Sequence, residues 1–234
     1  MAPLARRGGA EPQPFADRAA AGRALAGALH AYAGRSDVVV LGLPRGGVPV
    51  AFEVARALDA PLDVVLARKL GVPGHEELAL GAIASGGVRA LNAEVVRALN
   101  IAPDTIEAVA AREAEELARR ERAYRDDRPP PEVAGRTAIL VDDGLATGAT
   151  MRAAVAALRR DGAVAIVVAV PVAAPDTCAA FRAEVDDVVC VVTPEPFDAV
   201  GLWYENYAPT ADAEIRDLLA RAWQGDADAD AGRH

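Results

Sequence analysis

Aromatic residues make up only 4% of this 234-residue chain, so its core has to be assembled from Val, Leu, Ile and Ala, within a sequence that is 52% hydrophobic. Its 2 cysteines, Cys178 and Cys190, are too few for a metal cluster or a disulfide framework. Cys190 stands in an apolar run and reads as a core residue, and Cys178 falls in a predicted helix, which together predict a reduced, cytoplasmic setting. No apolar stretch is long and uninterrupted enough for a membrane span. Residues 1–14 carry charge, Pro and Gly but lack the hydrophobic segment of a secretory signal. A surplus of positive charge is missing too: the formal net charge of −9 disfavours a nucleic-acid surface, while leaving room for a local positive pocket. There is no Gly-Lys-Ser/Thr phosphate loop and no Gly-x-Gly-x-x-Gly dinucleotide fingerprint.

What is present is an alternation of short apolar runs with helical patterns. Val38–Leu43, Leu62–Ala67, Ile139–Val141, Val164–Val170 and Val188–Val192 read as buried strands. Between and around them, residues 15–32, 48–58, 151–160, 175–183 and 213–223 read as helices. A longer helix starts at Pro103, with Asp104 as cap and Glu107 three residues on, and ends before Pro129-Pro130-Pro131. Its mixed charges read as a solvated face with internal ion pairs. This order predicts an α/β fold with a doubly wound, mainly parallel sheet. One domain over 15–223 is expected, between a flexible 1–14 and a disordered tail at 224–234.

The stretch Thr137–Thr150 is the centre of the functional reading. An apolar strand ends in two carboxylates, Asp142 and Asp143, and passes through a loop of Gly, Ala and Thr into a helix. In open parallel sheets ligands bind at the carboxyl ends of the strands, and a helix N-terminus offers free N–H groups and a positive dipole end to phosphate. Gly144 and Gly148 permit close approach, and Thr147 and Thr150 add hydroxyl donors. Carboxylates beside a phosphate cradle make chemical sense when the ligand also carries sugar hydroxyls or a magnesium ion.

Further charged turns surround this stretch. Pro44-Arg45-Gly46-Gly47 joins a strand to a helix, with a guanidinium fork suited to phosphate oxygens. The strand ending at Ala67 delivers Arg68 and Lys69 into 71–77, whose Gly, Pro and polar content predicts a long mobile connection. His75, Glu76 and Glu77 read either as surface loop charge or as a proton-transfer cluster. Leu78–Leu91 reads as a hairpin turning at Gly86-Gly87. Finally, the scarce aromatics gather at Phe197, Trp203, Tyr204 and Tyr207. That cluster is either a lid on the core or a pocket for a flat acceptor.

Val-Asp-Asp-Gly-Leu-Ala-Thr-Gly-Ala-Thr, at 141–150, resembles the phosphoribosyl pyrophosphate motif of the type I phosphoribosyltransferases. The resemblance implies that Asp142 and Asp143 hold the ribose hydroxyls, with magnesium bound mainly through substrate and water. Ala146, Thr147, Gly148, Ala149 and Thr150 would take the 5′-phosphate. Arg45, Gly46 and Gly47 resemble the pyrophosphate loop of that family, in which a non-proline cis peptide often precedes the basic residue; Arg68 and Lys69 would add to it. A hood built partly from the C-terminal segment would hold the acceptor, with Phe197, Trp203 and Tyr204 as candidates. The implied activity is magnesium-dependent transfer of the 5-phosphoribosyl group from phosphoribosyl pyrophosphate to a nitrogen of a nucleobase-like acceptor, by a homodimer, with no nucleic acid or membrane involved. Ala146 stands where hypoxanthine–guanine-type members carry an acid serving the base, which makes that acceptor class less expected here. A non-catalytic phosphoribosyl pyrophosphate sensor of the same fold is the alternative.

Overall fold

The computed structural model describes residues 13–125 and 128–231. In chain order the first half runs α1 (Arg18–Ala28), β1 (Val38–Gly42), α2 (Gly47–Leu58), β2 (Leu62–Val64), β3 (Ala67–Val72), β4 (His75–Ala84) and β5 (Val88–Leu91). It continues through α3 (Ala93–Ala98), α4 (Pro103–Arg125), β6 (Thr137–Val141), α5 (Ala149–Arg160), β7 (Ala165–Val172), α6 (Pro175–Phe181), β8 (Asp187–Val192) and α7 (Asp212–Ala231). Five strands form a wholly parallel sheet in the order β2-β1-β6-β7-β8, and β3-β4-β5 form a separate antiparallel sheet. The expected doubly wound, mainly parallel sheet is therefore present.

Every residue of β1 and β6 is buried, which explains their unbroken apolar sequence: helices cover both faces. Leu25, Val50, Val54, Leu58, Val40 and Ile139 pack on one side of the sheet, and Leu41, Leu140, Met151, Leu158 and Phe181 on the other. Registration of Val40 with Ile139 and of Gly42 with Val141 brings the two carboxyl ends out side by side. The backbone N–H of Leu43 donates to the carbonyl of Val141 at 2.8 Å, carrying the pairing one residue beyond the strands. Any ligand site formed by the segments after β1 and β6 is thus set by the core.

Several sequence expectations need correction. The strand expected at Leu62–Ala67 is two strands, and Arg68 and Lys69 lie inside β3 instead of at a strand end. The long mobile connection at 71–77 is a tight hairpin turning at Pro73-Gly74, with Val72 paired to His75. Burial of Leu70 and Val72 reveals a period-two pattern that Gly71, Pro73 and Gly74 obscure in the sequence. The second hairpin, from β4 to β5 through Ser85–Gly87, follows expectation.

On α4 the carbonyl of Ala102 accepts from Thr105 and Ile106, so Asp104 lies in the first turn beside the helix dipole and is not the cap. The charges of α4 are not all solvated: Glu113 and Arg125 are buried. The last helix continues past Trp223 to Ala231, where a disordered tail was expected from 224; its first half is anchored by Ile215, Leu219 and a Trp223 Nε1 bond to the Leu62 carbonyl. Residues 1–12 of the expected flexible start, and 232–234, lie outside the described residues.

The cysteines also depart from expectation. Cys178 and Cys190 form a disulfide, because α6 turns back directly onto the strand that follows it, setting mid-helix against mid-strand. Cys190 is partly exposed on the edge strand. Cysteine usage therefore no longer argues for a reducing compartment. No helix among the described residues is long and apolar enough to cross a membrane.

Candidate functional site

The chain leaves β6 at Val141 and presents Asp142 and Asp143 at the carboxyl edge of the sheet. The Asp142 carboxylate accepts from the backbone N–H of Asp143 at 2.8 Å, an arrangement that curls the chain away from the strand direction. Asp142 is half-buried. Burial, and then the negative charge of Asp143, raise its pKa well above the ordinary carboxyl value.

The Arg-Gly-Gly turn lies directly against these two residues. A Cβ added to Gly46 would stand 1.9 Å from Asp143 Oδ2, and one added to Gly47 would stand 2.6 Å from the Val141 carbonyl and 2.9 Å from Asp142 Cα. Any side chain at either position would force the two segments apart. The Pro44–Arg45 peptide is cis, as the family resemblance leads one to expect. Arg45 is exposed, and among the described residues it makes no ion pair.

After Asp143 the loop is held from beneath while its upper side stays open. Leu145 bridges to Ala173, donating to Val172 and accepting from Ala174, and the Thr177 hydroxyl donates to the Ala146 carbonyl at 2.6 Å. Gly148 adopts φ +75° at the start of α5, a left-handed conformation, with the Phe181 ring so close that a Cβ would meet it at 2.5 Å. No side chain caps α5, and among the described residues the hydroxyls of Thr147 and Thr150 have no hydrogen-bond partner. A 12-residue helix thus points free N–H groups and two unused hydroxyls out of the loop at 146–150, which is the chemistry of a phosphate cradle.

One residue at the site, Arg18, had no counterpart in the sequence reading, and a second, Tyr207, appeared there only as a member of the aromatic cluster. Arg18, in the first turn of α1, reaches Asp143 Oδ2 through Nε and Nη2, each at 2.8 Å, and donates from Nη1 to the Ala208 carbonyl at 2.7 Å. Its guanidinium stacks 4.2 Å from the centre of the Tyr207 ring. Burial, followed by the Asp143 charge, pushes the Tyr207 hydroxyl up to about 12. Arg18 was undetectable because its partner is 125 positions away. The only hint for Tyr207 is its place in the aromatic segment.

The other candidates are distributed unevenly. Tyr204, offered as an acceptor contact, is buried and donates its hydroxyl to the Asp143 carbonyl, so it supports the loop and has no free face for a ligand. Phe197 and Trp203 are half-buried around Tyr204, Ala21 and Val172, which favours the core-lid reading of the aromatic cluster. Arg68 and Lys69 are not gathered with Asp142 and Asp143: Arg68 Nε donates to Glu113 at 2.6 Å, and Lys69 faces Glu77 at 3.6 Å. Glu76 and Glu77 are exposed at the start of β4, with His75 beside them.

The donor set available for a metal is small. No group of three or more His, Cys, Asp or Glu side chains converges among the described residues. One oxygen of Asp143 is held by Arg18, leaving Asp142 as the main ligand group. This fits a magnesium ion that keeps most of its water and takes further oxygens from a bound phosphate ester, and does not fit an all-protein cage.

A family model described as a phosphoribosyl transferase domain matches residues 15–202, which includes both β-strand ends and the loop after each. Two Mycobacterium tuberculosis sequences, from strains CDC 1551 and H37Rv, are 49% identical over 217 residues, covering 93% of this chain and 49% of theirs; their name, phosphoribosyl transferase, is itself provisional. The chain thus spans about half the length of the curated relatives it matches. The crystal structure of the Thermus thermophilus protein TT1426 is similar with a TM-score of 0.77 at 43% identity, over 89% of this chain and 99% of that one.

Proposed function

The chain belongs to the phosphoribosyl transferase family, and from that premise we propose that it transfers the 5-phosphoribosyl group of phosphoribosyl pyrophosphate to a nitrogen of a nucleobase-like acceptor. The observation that carries this reading is the contact of the Arg45-Gly46-Gly47 turn with Asp142 and Asp143, beside the open N-terminus of α5. On this reading the Asp142 carboxylate serves the sugar hydroxyls, the N–H groups and hydroxyls of 146–150 serve the monophosphate, and the Arg45 guanidinium serves the diphosphate.

In this reading Asp142 accepts hydrogen bonds from the ribose hydroxyls. Asp143, locked by Arg18 and by the Tyr204 bond to its carbonyl, holds the turn of the loop in place. The backbone at 146–150, with Thr147 and Thr150, takes the 5′-phosphate. Arg45, brought forward by the two glycines, faces the diphosphate. The bond from ribose C1 to the diphosphate oxygen breaks with its electron pair leaving on pyrophosphate. A bond from C1 to the acceptor nitrogen forms, and that nitrogen gives up its proton to the departing pyrophosphate or to water. A magnesium ion, held by Asp142 through water and by the diphosphate, would neutralise charge on the leaving group. In this reading the protein's share is orientation and fixed charge. Ala146 supplies no general base, which argues against hypoxanthine or guanine as acceptor. A cytoplasmic, homodimeric enzyme accompanies this reading.

The test is incubation of the protein with magnesium, phosphoribosyl pyrophosphate and a panel of nucleobases, measuring pyrophosphate release. Release dependent on one acceptor, and lost in Asp142→Asn, is expected. Tight donor binding without release for any acceptor would replace the transferase with a sensor of the same ligand.

A further inference from the structure

Three consecutive carbonyls of the loop after Asp143 are tied down. The backbone N–H of Ala174 donates to the Leu145 carbonyl at 2.9 Å, the Thr177 hydroxyl to that of Ala146 at 2.6 Å, and Arg152 Nη1 to that of Thr147 at 2.9 Å. These peptides are trans, so the carbonyl of one residue and the N–H of the next point in opposite directions. Holding the carbonyls therefore turns the N–H groups of Ala146, Thr147 and Gly148 away from their ties. Among the described residues none of those three N–H groups has a hydrogen-bond partner. Whatever fixes the ties also fixes the direction of the free N–H groups.

The ties converge on one short element. Ala174 is the N-cap of α6, and Thr177 lies within it. Arg152 is aimed by Glu184, in the turn that follows α6: its Nε and Nη2 both reach that carboxylate at 2.9 Å. The Phe181 ring fills the space against Gly148. Yet α6 has only 7 residues, a length at which a helix has little stability of its own. Just two of its side chains are buried, Cys178 and Phe181. Cys178 is fixed by its bond to Cys190 of β8, a strand paired into the parallel sheet. One of the two buried anchors of α6 is thus a covalent bond that a thiol can open. Cys178 is 1% exposed and Cys190 partly exposed on the edge strand, so a reagent reaches the bond from the Cys190 side.

We propose that the Cys178–Cys190 disulfide is a redox latch on the loop at 146–150. Closed, it holds α6 and, through it, the outward N–H groups; opened by a dithiol, it releases α6 and weakens donor binding. The effect on the donor rests on the reading of that loop as the 5′-phosphate site. In the opening step a thiolate of the dithiol attacks Cys190 Sγ, and the S–S bond breaks with its electron pair on Cys178 Sγ, which takes up a proton. The second thiolate of the dithiol then attacks the reagent's own sulfur in the mixed disulfide, and Cys190 leaves as thiolate. Two electrons pass to the cysteine pair, and the dithiol ends as a cyclic disulfide. In a chain read as cytoplasmic, where lasting disulfides are uncommon, such a bond fits a redox-responsive role.

The test compares the full chain after treatment with oxidised dithiothreitol and after reduction by excess dithiothreitol. Thiol titration of the unfolded chain should find none free in the first state and 2 in the second. Phosphoribosyl pyrophosphate with magnesium, titrated by calorimetry, should bind the reduced chain about tenfold more weakly, as when about one reduced molecule in ten keeps the loop ordered. Reoxidation should restore the affinity. Cys190→Ser should bind like the reduced chain and ignore dithiothreitol, with circular dichroism checking its fold. Without any ligand, backbone amide exchange at 145–148 and across α6 should be faster in the reduced wild-type chain. Equal donor affinity in the two states, unchanged exchange, or free thiols persisting after oxidation overturns the latch. If neither state binds the donor, the phosphate-site reading fails, and the exchange comparison decides the latch by itself.

Discussion

Replacement of Arg18 by Ala tests whether the donor loop is held from the far end of the chain. In the folded protein Arg18 and Asp143 are each only 12% exposed at the side chain, so water screens their interaction poorly. Removing one member of such a pair leaves a buried charge without compensation, at a cost of about 3–5 kcal/mol. The lower end is the better expectation here, because the variant opens a path for water beside Asp143; about 3 kcal/mol would lower the melting temperature by about 6–12 °C in a domain of this size. Denaturant unfolding of wild type, Arg18→Ala, Asp143→Asn and the double variant closes a cycle. A coupling of at least about 1.5 kcal/mol is expected, since the two residues share one contact network. If Arg18→Ala costs less than about 1 kcal/mol, or the two changes add, Arg18 is a surface cation in loose contact and the locked-loop argument is wrong. Donor affinity measured on the folded fraction should fall in parallel, because Tyr207 and the Ala208 carbonyl also lose their anchor.

Other expectations follow from the same geometry. Gly46→Ala sets a methyl group on the Asp143 carboxylate, and overpacking of this kind costs about 1–3 kcal/mol; donor binding measured by calorimetry should be lost, and wild-type affinity would contradict the contact between the two loops. Asp142→Asn should raise stability at pH 7. The folded-state pKa of Asp142 is raised, so between the ordinary value of 3.8 and that raised value the native state holds the proton more tightly than the unfolded state, and stability falls as pH rises through this window. The stabilisation should therefore fade below pH 3.8; a variant less stable than wild type at pH 7 contradicts it. Gly148→Ala, at φ +75° and against Phe181, should cost about 1–3 kcal/mol and weaken phosphate binding at the loop, as read by thermal melts with and without phosphoribosyl pyrophosphate.

The parallel sheet was legible because strands buried on both faces must be continuously apolar, and β1, β6 and β7 obey that rule. The antiparallel sheet was less so. Its first hairpin buries alternate residues, Leu70 and Val72, within a stretch whose Gly and Pro signal a loop, and local punctuation outweighed a weak period of two.

At the site, the segment 141–150 declares itself in one dimension because a strand end, two acids and a helix start must be contiguous to work together. The neighbouring turn at Pro44–Gly47 could be suspected, but its contact with Asp143 follows only from the registration of β1 beside β6. Arg18, Tyr204 and Tyr207 meet Asp143 by packing of both chain ends over the sheet edge, and no local pattern encodes a partner 125 or 61 positions away. Arg68 makes the converse point. Its charge is plain in the sequence, yet its direction depends on Glu113 of α4, because a guanidinium goes where a buried carboxylate holds it. Residue types and their local order thus determined which chemistry the chain can carry, while the fold alone decided which charges meet, since electrostatic contact depends on distance in space.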